Sequence, residues 1–213
     1  MRTTAAKVRH NVIDGCFIPI VIKGGDTDTM NCEISGNLCI RNWGGLLAKS
    51  SCGNVFYNNT VLVIDTITYS YMAAAVENEE YAESTANNNI FKNNIFADIY
   101  GNNTGLIYAI DGLAQDLVFD NNVVYKSSGF IAAIDAGTYN LAEWQAEGYD
   151  INSYDNEPDL SSSYCPNVGS DAKGNGEDLG AGYNILMDCG TYPPSATTTE
   201  QTSNEDIGAF ISE

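Results

Sequence analysis

An apolar residue, a polar residue, two small or Asn-like residues and a return to apolar residues form a phrase that recurs five times in this chain. The copies are Ile13-Asp14-Gly15-Cys16-Phe17, Ile34-Ser35-Gly36-Asn37-Leu38, Phe56-Tyr57-Asn58-Asn59-Thr60-Val61, Phe91-Lys92-Asn93-Asn94-Ile95 and Phe119-Asp120-Asn121-Asn122-Val123. Internal repetition constrains a fold more than any single motif, because a short repeat cannot bury its apolar face alone and must stack on its neighbours. From Gly15 to Gly36 is 21 residues, to Asn58 a further 22, to Asn93 35 and to Asn121 28. The long interval contains Glu77 to Glu83, charges of one sign with little apolar content, which reads as a solvated insertion.

A second apolar phrase follows the copies: Ile20-Val21-Ile22, Leu46-Leu47-Ala48, Leu106-Ile107-Tyr108 and Phe130-Ile131-Ala132. These runs have strand length, and β-branched and aromatic residues are frequent in them. Each repeat therefore holds at least two short strands around a turn. The Asn pairs sit at that turn, where a left-handed backbone is needed and Asn tolerates it. Aligned through the stack, their amides can hydrogen-bond from repeat to repeat. They are assigned to the scaffold, although Asn58-Asn59-Thr60 and Asn102-Asn103-Thr104 match a glycosylation acceptor.

The pattern changes near Ala136, dividing the chain into repeats over 1–135 and a closing segment over 136–213. Asn140 to Gly148 predicts a short helix, with Asn140 as N-cap, Glu143 completing a capping box and Gly148 as the stop. Open strand edges at the end of such a stack need covering, and Trp144 is read as a core plug rather than a sugar platform.

Charge excludes some partners. A formal net charge of -19 with only nine basic residues cannot supply the cationic footprint that nucleic acid or an anionic membrane surface requires. No stretch approaches the roughly 20 apolar residues that span a bilayer. The six cysteines form no C-x-x-C pair, so zinc-ribbon spacing is missing, and free thiols or one to three disulfides both fit. Residues 1–6 lack the apolar region of a secretory signal. The chain reads as the C-terminal part of a longer coil that begins mid-repeat.

The repeats Asn31-Cys32-Glu33-Ile34-Ser35-Gly36-Asn37 and Gly53-Asn54-Val55-Phe56-Tyr57-Asn58-Asn59-Thr60 resemble rungs of bacterial and metagenomic right-handed parallel β-helix proteins of the pectate-lyase-like superfamily. The tail is similar to their closing segment in Leu141-Ala142-Glu143-Trp144-Gln145, Gly148-Tyr149-Asp150-Ile151-Asn152-Ser153, Glu157-Pro158-Asp159-Leu160, Gly180-Ala181-Gly182-Tyr183 and Asp206-Ile207-Gly208-Ala209-Phe210. The resemblance implies an all-β, single-stranded right-handed parallel β-helix with a C-terminal loop and helix cap, in an extracellular or cell-surface setting. The superfamily includes polysaccharide lyases, glycoside hydrolases, phage tailspikes and non-catalytic surface proteins, and no family catalytic motif carries over residue by residue.

Three constellations are candidates for chemistry. Aligning Gly105 with Gly129 places Asp111 and Asp135 at equivalent positions, about 4.8 Å apart on adjacent rungs, where two carboxylates can act as an acid/base pair or share calcium. Aligning Pro19 with Gly45 places Lys23 beside Lys49, candidate bases for proton abstraction next to a uronate carboxylate that Arg41 would neutralise. Asp171, Asn175 and Asp178 crowd oxygen ligands into one glycine-rich loop, a candidate calcium site whose spacing is not that of an EF-hand. His10 is the single histidine, so a Ser-His-Asp triad has little support. The expected function is a secreted or surface β-helix protein that binds or degrades a polysaccharide by lyase or hydrolase chemistry. The other reading is a non-catalytic adhesion module.

Overall fold

The computed structural model describes residues 5–24, 30–63, 72–77, 87–98, 105–109, 116–134, 137–189, 198–201 and 205–211. Five successive rungs each contribute three short strands. The first holds β1 (Lys7–Arg9), β2 (Val12–Asp14) and β3 (Ile20–Lys23), and the second β4 (Glu33–Ser35), β5 (Leu38–Ile40) and β6 (Leu46–Lys49). The third holds β7 (Val55–Tyr57), β8 (Thr60–Val63) and β9 (Ala74–Glu77), and the fourth β10 (Ile90–Lys92), β11 (Ile95–Asp98) and β12 (Ile107–Ala109). The fifth holds β13 (Val118–Asp120), β14 (Val123–Lys126) and β15 (Ala132–Ile134). After them come β16 (Gly137–Tyr139), α1 (Leu141–Ala146), β17 (Ile185–Asp188), β18 (Thr198–Glu200) and β19 (Phe210–Ile211).

The strands stack by rung into three parallel sheets. The first sheet runs β1-β4-β7-β10-β13, the second β2-β5-β8-β11-β14 and the third β3-β6-β9-β12-β15, with β16 added antiparallel to β15. This is a β-helix-like coil. The last four copies of the sequence phrase are each two strands bent around one corner, the first copy covers the end of β2 and the corner after it, and the second apolar phrase supplies the third strand.

The corner between the first and second sheets explains the asparagines. His10, Gly36, Asn58, Asn93 and Asn121 all have φ between 52° and 63°, and Asn or Gly accepts that geometry at least cost. The residues that follow form a ladder. The side-chain amide of Asn11 donates to Asn37 Oδ1 at 2.9 Å, Asn37 to Asn59 at 2.9 Å, Asn59 to Asn94 at 3.0 Å and Asn94 to Asn122 at 3.1 Å. The backbone N–H of each of these donors reaches the same oxygen. Their spacings are 26, 22, 35 and 28 residues. The first differs from the sequence reading, which placed Gly15 at this corner. The pairing of Arg9 with Ser35 and of Asp14 with Ile40 puts His10 opposite Gly36 and moves Gly15 to the following corner, opposite Arg41. Glu77, read as part of the insertion, is the last residue of β9.

Inside the coil, Phe56, Phe91 and Phe119 occupy one register. Their rings stack at 4.3 and 4.5 Å with interplanar angles of 1° and 4°. Such a stack contributes about 0.5–1.5 kcal/mol per pair beyond the burial of apolar area. Trp144 of α1 is fully buried and meets Phe119 edge-on at 6.1 Å, so it continues the column as a plug. The helix forms where its sequence predicts. Asn140 accepts from the Glu143 N–H, and Glu143 accepts from the Asn140 N–H, closing the capping box.

Residues 137–154 satisfy backbone groups on all three strands of the fifth rung. Asp150 N–H donates to Phe119, Tyr154 is exchanged with Asn122 and Val124, and β16 pairs with β15. The rest of the tail departs from the expectation that all of 136–213 lies over this end. Its described residues run back along the outer face of the second sheet. Leu38, Ile40, Leu62, Ile95 and Val123 on that face form a second core with Met187, Ile207 and Phe210. Ala209 N–H donates to Thr60 Oγ1, Asn58 donates to the Tyr183 carbonyl, and His10 Nε2 lies 2.9 Å from the Ile185 carbonyl. The tail therefore reaches from the fifth rung to the first. The reason is visible in β5, β8 and β11, where apolar residues occupy both faces and the outer one needs a cover. A disulfide between Cys165 and Cys189 closes a loop within this tail.

Candidate functional site

The outer face of the third sheet carries two rows that run across the rungs. Strand alternation places Ile20, Ile22, Leu46, Ala48, Ala74, Val76, Ile107 and Ala109 in the interior core. The residues between them point outward in register, Val21 to Leu47, Ala75, Tyr108 and Ala133. Beside this apolar row runs a charged one, Lys23 to Lys49 to Glu77.

A groove of about 410 Å³ opens over these rows, lined by Phe17, Ile18, Leu47, Met72, Ala75 and Tyr108 with Lys49 and Glu77 at its edge. Phe17 is 50% exposed and Val21 43%. Phe17 lies one rung from Trp43, with ring centroids 5.2 Å apart and planes inclined at 58°. Their backbones are locked by Trp43 N–H to Cys16 and Gly44 N–H to Phe17. Gly45 is required here, because a Cβ would run into the Ala73 carbonyl.

The structure brings Lys23 and Lys49 together as direct strand partners. The Lys49 ammonium lies 3.7 Å from the Glu77 carboxylate. Arg41 stands apart at the corner after the second sheet, where its Nε donates to Asp14 Oδ1 at 2.7 Å and its Nη2 pairs with Asp14 Oδ2. The lysine pair and the arginine thus belong to different corners of the coil. Asp111 and Asp135 lie outside the described residues. The register next to them is Ile107 on Ala132 and Ala109 on Ile134, an offset of 25. The alignment of Gly105 with Gly129 assumed 24, and Gly105 stands instead against Phe130.

In the acidic loop, Asp171 Oδ2 accepts from Asn156 at 2.6 Å and the Asn175 amide donates to the Asp171 carbonyl. Asp178 Oδ1 accepts from Gly180 N–H and from Asn184, and the first of these bonds leads in holding its carboxyl below the ordinary value. These are turn contacts that close the loop. Among the described residues no group of three or more His, Cys, Asp or Glu is placed to hold a metal ion. No helix among them is long and apolar enough to cross a membrane.

The groove residues Phe17, Leu47 and Tyr108, and Trp43 against the Phe17 ring, were not named as site residues from the sequence, yet a signal existed. The alignment of Pro19 with Gly45 that pairs the lysines also pairs Phe17 with Trp43. Asn58, the acceptor position of one glycosylation match, is 2% exposed and is closed to modification in the folded chain. No protein-family model matches this chain, and no curated protein or solved structure matches it.

Proposed function

We propose that this chain is a right-handed parallel β-helix of the pectate-lyase-like kind, secreted or displayed at a surface, that binds a polysaccharide along the outer face of its third sheet. The observation that carries the reading is the exposed apolar surface of Phe17 and Val21 at one end of the apolar row, in which Leu47 and Ala75 are 8% and 9% exposed and form a buried floor. The comparable apolar face of the second sheet is covered by the tail, whereas Phe17 and Val21 remain in solvent. Exposed apolar surface flanked by charge is the pattern of an interaction site, and a row perpendicular to the strands suits a linear polymer lying along the coil. Right-handedness is favoured by the strong bias of parallel crossovers. The Cys165–Cys189 disulfide favours an oxidising compartment.

Binding rather than cleavage is the reading the described side chains support, because Lys49 faces Glu77 and Arg41 faces Asp14. The test is affinity electrophoresis of the full chain through gels containing soluble polysaccharides, followed by product analysis on any polymer that retards it. Phe17→Ala and Tyr108→Ala should each weaken retardation about tenfold, the loss expected for one aromatic contact. Unaltered mobility with every polymer rejects the proposal. Release of oligosaccharides would replace binding by catalysis.

A further inference from the structure

We infer that the third-sheet groove selects a neutral glycan over a uronate polymer; this rests on the reading of that groove as a polysaccharide site. The lining is predominantly apolar, with Phe17, Ile18, Leu47, Met72, Ala75 and Tyr108. Leu47 and Ala75 are buried, while Phe17 is half-exposed and Ile18, Met72 and Tyr108 are partly exposed, and these side chains can pack against the C–H faces of sugar rings without requiring charge.

A uronate chain presents a carboxylate at each residue and needs cations to meet it. The one cation among the described lining residues is Lys49, and it is matched by Glu77 across 3.7 Å, with both side chains partly exposed. A polyanion entering the groove would have to displace Glu77 from Lys49 or lie beside a carboxylate. Lys23, the strand partner of Lys49, adds positive charge at this edge. Against it stand Glu77 and a chain with a formal net charge of -19, whose field repels a polyanion before contact. A bridging divalent ion is the other means of holding a uronate. The described residues gather no set of three or more His, Cys, Asp or Glu to seat one.

The experiment compares neutral polymers (β-glucan, galactan and mannan) with uronate polymers (polygalacturonate and alginate). Binding is measured by affinity electrophoresis and titration calorimetry on the full chain at about 0.02 and about 0.2 M salt. The expected result is retention by at least one neutral polymer, with affinity changing less than about twofold between the two salt concentrations, and no retention by the uronates. Lys92→Ala, on the first sheet and away from the groove, should leave the neutral affinity within about twofold. Binding to uronates alone, or an affinity that falls tenfold or more with salt, overturns the selectivity and leaves the groove as a polysaccharide site. No binding to either set overturns the polysaccharide reading and the selectivity with it.

Discussion

The side-chain amide of Asn122 donates to the buried carboxylate of Asp150 across 2.8 Å, and this bond ends the asparagine ladder. Each of Asn37, Asn59 and Asn94 sends its amide to the next rung's asparagine oxygen and also back to a backbone carbonyl of the preceding rung. Asn122 keeps the backward bond, to the Phe91 carbonyl, and so needs a forward acceptor in place of a further asparagine. Asp150 fills that position and also accepts from Ser153 at 2.6 Å and from the Trp144 indole at 2.8 Å. One carboxylate thus joins the ladder, the plug of the aromatic column and the turn that follows the helix.

Replacing Asp150 tests that junction. Asp150→Asn keeps an acceptor for Asn122 and Ser153 but turns an amide toward the Trp144 N–H, leaving a buried donor unsatisfied at a cost of about 1–3 kcal/mol. Asp150→Leu removes all three acceptor contacts and should cost more. Chemical denaturation should rank wild type above Asn above Leu, and an Asn variant as stable as wild type would show that the indole bond contributes nothing.

The same carboxyl gives a pH dependence. Burial, the dominant cause, pushes its pKa up from the ordinary aspartate value against the three hydrogen bonds that lower it. A folded pKa above the unfolded one means that the native state binds the extra proton. Its stabilising contribution is complete below the unfolded value and is lost as pH rises through the folded value. The stability gap between wild type and Asp150→Asn should therefore widen as pH falls from neutrality toward the ordinary carboxylate range. The difference between variants is the useful quantity, since the net charge of -19 also weakens on acidification. A gap that narrows would place the ionised form in the fold.

A break within the ladder should be worse than a break at its end. Asn94→Ala removes the acceptor of both the Asn59 N–H and the Asn59 amide, and the donor to the Phe56 carbonyl. Three buried groups lose partners at once, so a loss on the order of 3 kcal/mol is expected by thermal or denaturant unfolding. Lys92→Ala, at the surface of the same rung, loses a Glu177 ion pair that is partly exposed and should cost less than about 1 kcal/mol.

How legible these features were depended on where the physical signal resides. The corner asparagines were readable because φ above zero and ladder hydrogen bonding both select Asn, and together they leave a repeat in the sequence. His10 was hidden because the first rung meets the same backbone requirement with a residue outside that pattern; its ring instead contacts the Ile185 carbonyl. The helix was legible through local capping chemistry at Asn140 and Glu143. The path of the tail was not. Its contacts, such as Ala209 to Thr60, join residues 149 apart, and no local periodicity encodes them. The Gly105 alignment failed by one residue because a glycine in a loop and a glycine beside a strand are chemically alike, whereas register is set by the strands themselves.

The first rung offers the remaining prediction. Among the described residues β1, β2 and β3 each stand at the end of their sheet. Val12, Phe17 and Val21 of that rung are 36%, 50% and 43% exposed. Parallel edges with apolar side chains template further pairing, so this 213-residue chain should self-associate with rising concentration through this rung. Charge on an edge strand opposes such pairing, and Val12→Lys with Val21→Lys should restore a monomer while leaving the ladder and the aromatic column untouched. Light scattering coupled to size-exclusion chromatography reads the effect directly. A wild-type chain that stays monomeric across a hundredfold range of concentration would show that these edges are already protected, and the exposed apolar residues of the first rung would then belong to the groove alone.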